Sequence, residues 1–202
     1  MFEQTVSPET LNLIKSFGDD NLPKNTYLAG GTAIALQIGH RKSLDLDFFT
    51  DTEFVENQWQ QKLEKKFGFK LMQKDWQTLT GEINTTKFSL FYYKYPLIEK
   101  NVDFYVIKLA SLEDLSAIKL DVVISRGTKR DLIDIYFLAK KFGLTKMFEF
   151  YERKYGNFAE RELMIKKSLI YFDDAEKDEN PQMLVNFDWE ELKRFFRKEI
   201  HL

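Results

Sequence analysis

The 202-residue chain has no cysteine, which excludes disulfides and thiolate metal centres, and its two histidines are too few for a histidine-based zinc site. It has no excess of one charge. Thirty Lys and Arg against 32 Asp and Glu leave a formal −2 at pH 7, which excludes a globally basic nucleic-acid binder and confines phosphate recognition to local patches. No apolar run approaches the roughly 18 residues that a bilayer span needs. The N-terminal Met-Phe-Glu-Gln-Thr-Val-Ser-Pro has neither a basic n-region nor an apolar h-region, so a cytoplasmic protein with no membrane contact is expected. Internal repeats and low-complexity tracts are also missing. What the chain has in quantity is phenylalanine: nineteen residues, within a hydrophobic content of 44%, predict a phenylalanine-rich core.

The periodicity changes part-way along. Ser7 and Pro8 open a helix through Phe17, Thr26 to Ala29 is a short apolar strand, and Thr32 to Ile38 is a brief helix stopped by Gly39. A strand follows around Leu44 to Phe49, then an amphipathic helix from Glu53 to Phe67. Aromatic and β-branched runs around 69–72, 76–83 and 87–95 read as an antiparallel extension with Asn84 at a hairpin tip, and Val102 to Val106 as one further strand. From Ser111, which forms a capping box with Asp114, the period is helical. Helices are expected over 129–141, 146–154 and 158–172, then an acidic linker, then a last helix opened by Asp188. Residues 1–110 therefore form a sheet-containing half and 111–202 a helical half that completes a cleft.

Two local features carry chemistry. Gly30-Gly31, between a strand and a helix, lets backbone approach a phosphate, and the free amides of a helix N-terminus favour an anion there. Asp45 and Asp47 alternate with Leu44, Leu46 and Phe48, which puts both acids on one face with Cα atoms roughly 6 to 7 Å apart. Two hard-oxygen ligands at that spacing suit a magnesium ion, which takes one or two carboxylates together with water and substrate phosphates. Further on, Lys119 and Arg126 are seven apart on a helix and share a face.

Gly30-Gly31-Thr32, the run from Arg41 through Ser43-Leu44-Asp45-Leu46-Asp47 to Phe49, Lys119, and the run Ser125 to Tyr136 together resemble the nucleotidyltransferase AbiEii/AbiGii toxin family, over roughly residues 25–140. The resemblance implies a mixed α+β, polymerase β-like nucleotidyltransferase fold: a small mixed or antiparallel sheet with flanking helices and a helical C-terminal half. It implies magnesium-dependent transfer of a nucleoside monophosphate from a nucleoside triphosphate to an acceptor hydroxyl, such as the 3′ end of tRNA or another RNA. It also implies the toxin's place in a toxin–antitoxin or phage-defence pair, with a cognate antitoxin as partner.

Carried over by position, Ser43 and Asp45 match the family's Ser/Thr-x-Asp and Asp47 its second metal carboxylate, while Lys119 and Asp134 match its catalytic lysine and downstream aspartate. Gly30, Gly31, Thr32 and Ser43 are then expected at the phosphates. Lys119 with Arg126 or Arg130 counters their charge, and Asp134 orients the lysine or acts as base. The wider superfamily places a third carboxylate on a later strand, where Asp103 is the candidate metal ligand. Alternatives are a catalytically degenerate nucleotide- or partner-binding module of the same fold, or a transferase that modifies protein side chains. An Asp103 remote from the acid pair would favour the binding module.

Overall fold

The computed structural model describes residues 1–18 and 20–201. Helix α1 (Pro8–Ser16) starts where the Ser7 hydroxyl accepts the Thr10 amide at 3.0 Å. Strand β1 (Tyr27–Leu28) leads directly into α2 (Gly30–Ile38), so the two glycines form the first turn of the helix and not a turn ahead of it. Strand β2 (Leu46–Thr50) begins one residue after Asp45. Helix α3 (Glu56–Phe67) ends at Gly68, whose φ of 67° is the left-handed cap.

Strands β3 (Lys70–Asp75), β4 (Thr78–Ile83) and β5 (Thr86–Tyr92) form the expected meander, with Asn84 at φ 55° in the tip. The single strand expected over 102–106 is instead a hairpin of β6 (Val102–Phe104) and β7 (Ile107–Leu109). The chain reverses at Tyr105, which takes a positive φ of 53°, a turn that an aromatic and β-branched run conceals. The helical half comprises α4 (Leu112–Arg126), α5 (Lys129–Phe142), α6 (Leu144–Tyr155), α7 (Phe158–Ile170) and α8 (Trp189–Glu199).

All seven strands join one mixed sheet in the order β3-β4-β5-β2-β1-β7-β6. Strand β2 is central, parallel to β5 and antiparallel to β1. One face is closed by a phenylalanine core: Phe17 of the α1 end lies 5.3 Å from Phe48, 4.8 Å from Phe67 and 5.9 Å from Phe88. The side chains of Phe48, Phe88 and Leu90 are fully buried there, so the alternating residues Asp47, Phe49, Ser89 and Phe91 face the other way and are only half-buried. The acidic segment after α7 is not a loose linker. It contains a helical turn (Ala175–Lys177) and continues into a bridge between Met183 and Arg41, so the C-terminal region braces the loop that precedes the acids. No helix among the described residues is long and apolar enough to cross a membrane.

Candidate active site

The site forms where β1 ends and β2 begins. Gly30 adopts φ +64°, and a Cβ there would lie 2.5 Å from Oδ2 of Asp47, so only glycine lets the start of α2 sit against that carboxylate. A Cβ on Gly31 would lie 2.4 Å from the Arg41 guanidinium, which passes beneath the same turn. The residue before the helix, Ala29, supplies no side-chain cap. The first-turn amides are therefore available to an anion, reinforced by the helix dipole.

Asp45 and Asp47 are both half-buried. Burial pushes the Asp47 carboxyl above the usual carboxylate range and the neighbouring Asp45 adds to the rise, against the Ser89 hydroxyl and the more distant Lys119 and Arg126, which lower it. This is a like-charge pair in want of a cation, and its hard-oxygen donor set fits a magnesium-class ion. The loop into it is held by hydroxyls. Thr32 Oγ1 donates to Ser43 Oγ at 2.8 Å and bonds the Asp45 carbonyl, so these two residues brace the Asp45 backbone.

Beneath the turn lies a buried knot of charge. Arg41 grips Asp134 with two parallel bonds, Nε to Oδ1 and Nη2 to Oδ2, each 2.8 Å. His40 Nε2 reaches Asp134 Oδ1 at 2.8 Å, leaving the buried His40 Nδ1 without a partner. Lys119 Nζ lies 2.7 Å from Asp131 and 2.8 Å from Asp134. Arg126 donates to Asp131 from Nε at 2.9 Å while its side chain stays 63% exposed, which leaves it able to meet a ligand. Burial disfavours every charge here, but the pairings outweigh it. Lys119 is raised by Asp134 and Asp131, Asp131 is lowered to about 2 by Lys119 and Arg126, and Asp134 is held well below the usual carboxylate range by Lys119 and Arg41.

Most of the sequence-predicted residues thus converge: Gly30, Gly31, Thr32, Ser43, Asp45, Asp47, Lys119, Arg126 and Asp134 lie in one connected region. Two do not. Arg130 is exposed and takes no part in the knot, where the arginines are Arg41 and Arg126. Asp103 lies on the edge strand β6, three strands from β2, which at strand spacing is about 14 Å. Its side chain is 82% exposed and paired with Lys108 at 2.8 Å, so the structure does not bring it to the acid pair.

Three participants were passed over in the sequence. Arg41 and His40 looked like solvated loop residues, and Asp131 received no role. The signal was present in Asp131 and Asp134, three apart on α5 and so on one helical face. The largest hollows lie away from the acids. One of 1240 Å³, lined by Lys24, Asp51 and Asp103 among others, opens at the opposite pole of the sheet, and one of 720 Å³ lies beside Arg126 between α4 and Tyr171. The acids themselves stand on an open sheet face.

With this geometry in place, the comparisons decide the family. The model for "Nucleotidyl transferase AbiEii toxin, Type IV TA system" matches residues 12–99 and 88–201, nearly the whole chain. The chain belongs to the AbiEii nucleotidyltransferase family. An uncharacterized protein of Aquifex aeolicus (strain VF5) is 34% identical over 199 residues, covering 95% of this chain and 93% of the relative. The AbiEii fold is also that of two solved structures. JHP933 from Helicobacter pylori has a TM-score of 0.56 at 18% identity, with 96% of this chain and 94% of that one covered. The antibiotic-resistance factor ANT(2'')-Ia has a TM-score of 0.52 at 16% identity, with 83% and 97% covered. As an AbiEii member the chain is a nucleotidyltransferase, and its mixed sheet with eight α-helices among the described residues is a nucleotidyltransferase fold.

Proposed function

We propose that this AbiEii member transfers a nucleoside monophosphate from a nucleoside triphosphate to the 3′-hydroxyl of an RNA such as tRNA, as the toxin of a pair whose antitoxin restrains it. The observation that carries the proposal is the contact between the α2 start and Asp47: phosphate-binding amides and a cation-seeking carboxylate meet within a few ångströms, as nucleotidyl transfer needs. Asp45 and Asp47 would hold a divalent magnesium-class ion, which when bound neutralises charge on the triphosphate and at the developing oxyanions. The Gly30 and Gly31 amides orient the triphosphate, and Arg126 offers its exposed guanidinium to it. Lys119 supplies positive field from below, a positioning role, because its ammonium is already bonded to Asp131 and Asp134. Asp134 serves in the same way. Four donors from Arg41, His40 and Lys119 saturate its carboxylate, so it anchors the cations and accepts no proton from the acceptor.

The position of Asp103 favours a second reading, a binding module without turnover, since no third acid reaches the pair. One experiment separates the two. The protein is incubated with each labelled nucleoside triphosphate, Mg²⁺ and total cellular RNA, beside an Asp45→Asn variant shown to be folded. Label on RNA that is lost in the variant is the expected result. Label on protein redirects the acceptor, and no label with any triphosphate leaves the binding module.

A further inference from the structure

The sheet face that carries Asp47 runs on across β5 and β4 without another acid close by. Ser89 is the register partner of Asp47 on the parallel neighbour β5, and the other β5 residues on that face are Lys87 and Phe91. On β4, Thr80 opposes Ser89, and the one acid of that face, Glu82, is two strands from β2 and in register with Lys87. The Ser89 hydroxyl is within hydrogen-bonding reach of the Asp47 carboxylate. Among the described residues, no three His, Asp or Glu side chains gather where they could share a metal ion.

Electrostatics gives this arrangement a consequence. Two carboxylates are neutralised by one divalent ion. A second would leave an excess of two positive charges that only the triphosphate could offset, whereas a third carboxylate within about 5 Å would have offset it in the free protein. A hydroxyl adds no charge. It ties down one oxygen of Asp47 and leaves the other directed at the cation, the part that outer-shell partners play at metal sites. We infer that in the absence of nucleotide this chain takes a single divalent cation at Asp45 and Asp47, with Ser89 as a positioning residue that orients Asp47. The inference rests on the nucleotidyl-transfer reading of the same carboxylates, but its readout needs no turnover.

The test is a titration of the full chain with Mn²⁺, following free Mn²⁺ by electron paramagnetic resonance with no nucleotide present. One Mn²⁺ per chain is expected. Ser89→Ala should bind it about tenfold more weakly with an unchanged thermal midpoint, as loss of an outer-shell partner does at metal sites. Ser89→Thr, which keeps the hydroxyl, should restore the affinity, and Ser89→Asp should bind tighter or accept a second ion. Two Mn²⁺ in the wild type overturns the inference, as does an unchanged affinity in Ser89→Ala or a folded Ser89→Asp with no gain. A wild type that binds one Mn²⁺ yet labels no acceptor defeats the proposed transfer and leaves this inference standing. A wild type that binds none defeats both.

Discussion

The acid pair and the charge knot beneath it are built from the same residue types and behave in opposite ways. Asp134 is completely buried and Asp47 only partly, yet the fold keeps Asp134 ionised and pushes Asp47 toward its neutral form. The difference lies in partners. Asp134 receives a bidentate arginine, a histidine and a lysine, while the nearest charge to Asp47 is another carboxylate. Burial alone therefore does not mark a functional carboxylate. The informative one is the group whose needs the protein leaves unmet, and the satisfied knot is the foundation that holds the Gly-Gly turn and Arg126 in position.

The largest effect that would break this contrast comes from the knot. Asp134→Ala leaves Arg41 and Lys119 buried without a counter-charge and should cost about 3 to 5 kcal/mol in urea unfolding. Asp47→Asn should leave stability unchanged or slightly raised, because it removes a charge the fold disfavours, while abolishing label transfer. Equal destabilisation by the two variants would erase the distinction drawn here.

The glycines should show the next largest effects. Gly31→Ala forces a Cβ into the Arg41 guanidinium and should cost about 1 to 3 kcal/mol, read as a fall in thermal midpoint. Gly30→Ala adds a left-handed alanine against Asp47 and should cost about 1 to 2 kcal/mol together with the loss of nucleotide binding by calorimetry.

The knot should also write itself into the acid limb of the stability profile. Asp131 titrates near 2 in the folded protein against an ordinary 3.8, so its contribution is complete above about pH 4 and is lost as the pH falls toward 2. About 2 kcal/mol is at stake, and Asp131→Asn should flatten that window in pH-dependent denaturation. The smallest effect belongs to Asp103. Asp103→Asn removes an exposed ion pair and should change stability by less than about 0.5 kcal/mol and label transfer not at all. A large loss of transfer would return Asp103 to the site.

Local chemistry was legible in the chain itself. The alternation that places Asp45 and Asp47 on one face, the capping box at Ser111, the glycine stops and the phenylalanine core all follow from neighbours in sequence, where spacing and propensity act directly. Errors fell where that reach ended. The Tyr105 reversal hid inside a strand-like run, because the hairpin is held by pairing across β6 and β7 and not by a turn residue. Asp103 looked like a third ligand because strand order cannot be read from a strand's composition.

The sequence by itself determined the two halves of the site, the Gly-Gly start of α2 with the Asp-x-Asp strand and the α4–α5 stretch of charged residues, since each is set by short-range periodicity. Only the tertiary structure decided what joins them. Arg41 and Asp134 are 93 positions apart and meet at 2.8 Å, Lys119 is turned inward onto two aspartates, and Ser89 is the residue opposite Asp47. Those pairings depend on sheet order and helix packing, long-range contacts that no spacing along the chain encodes.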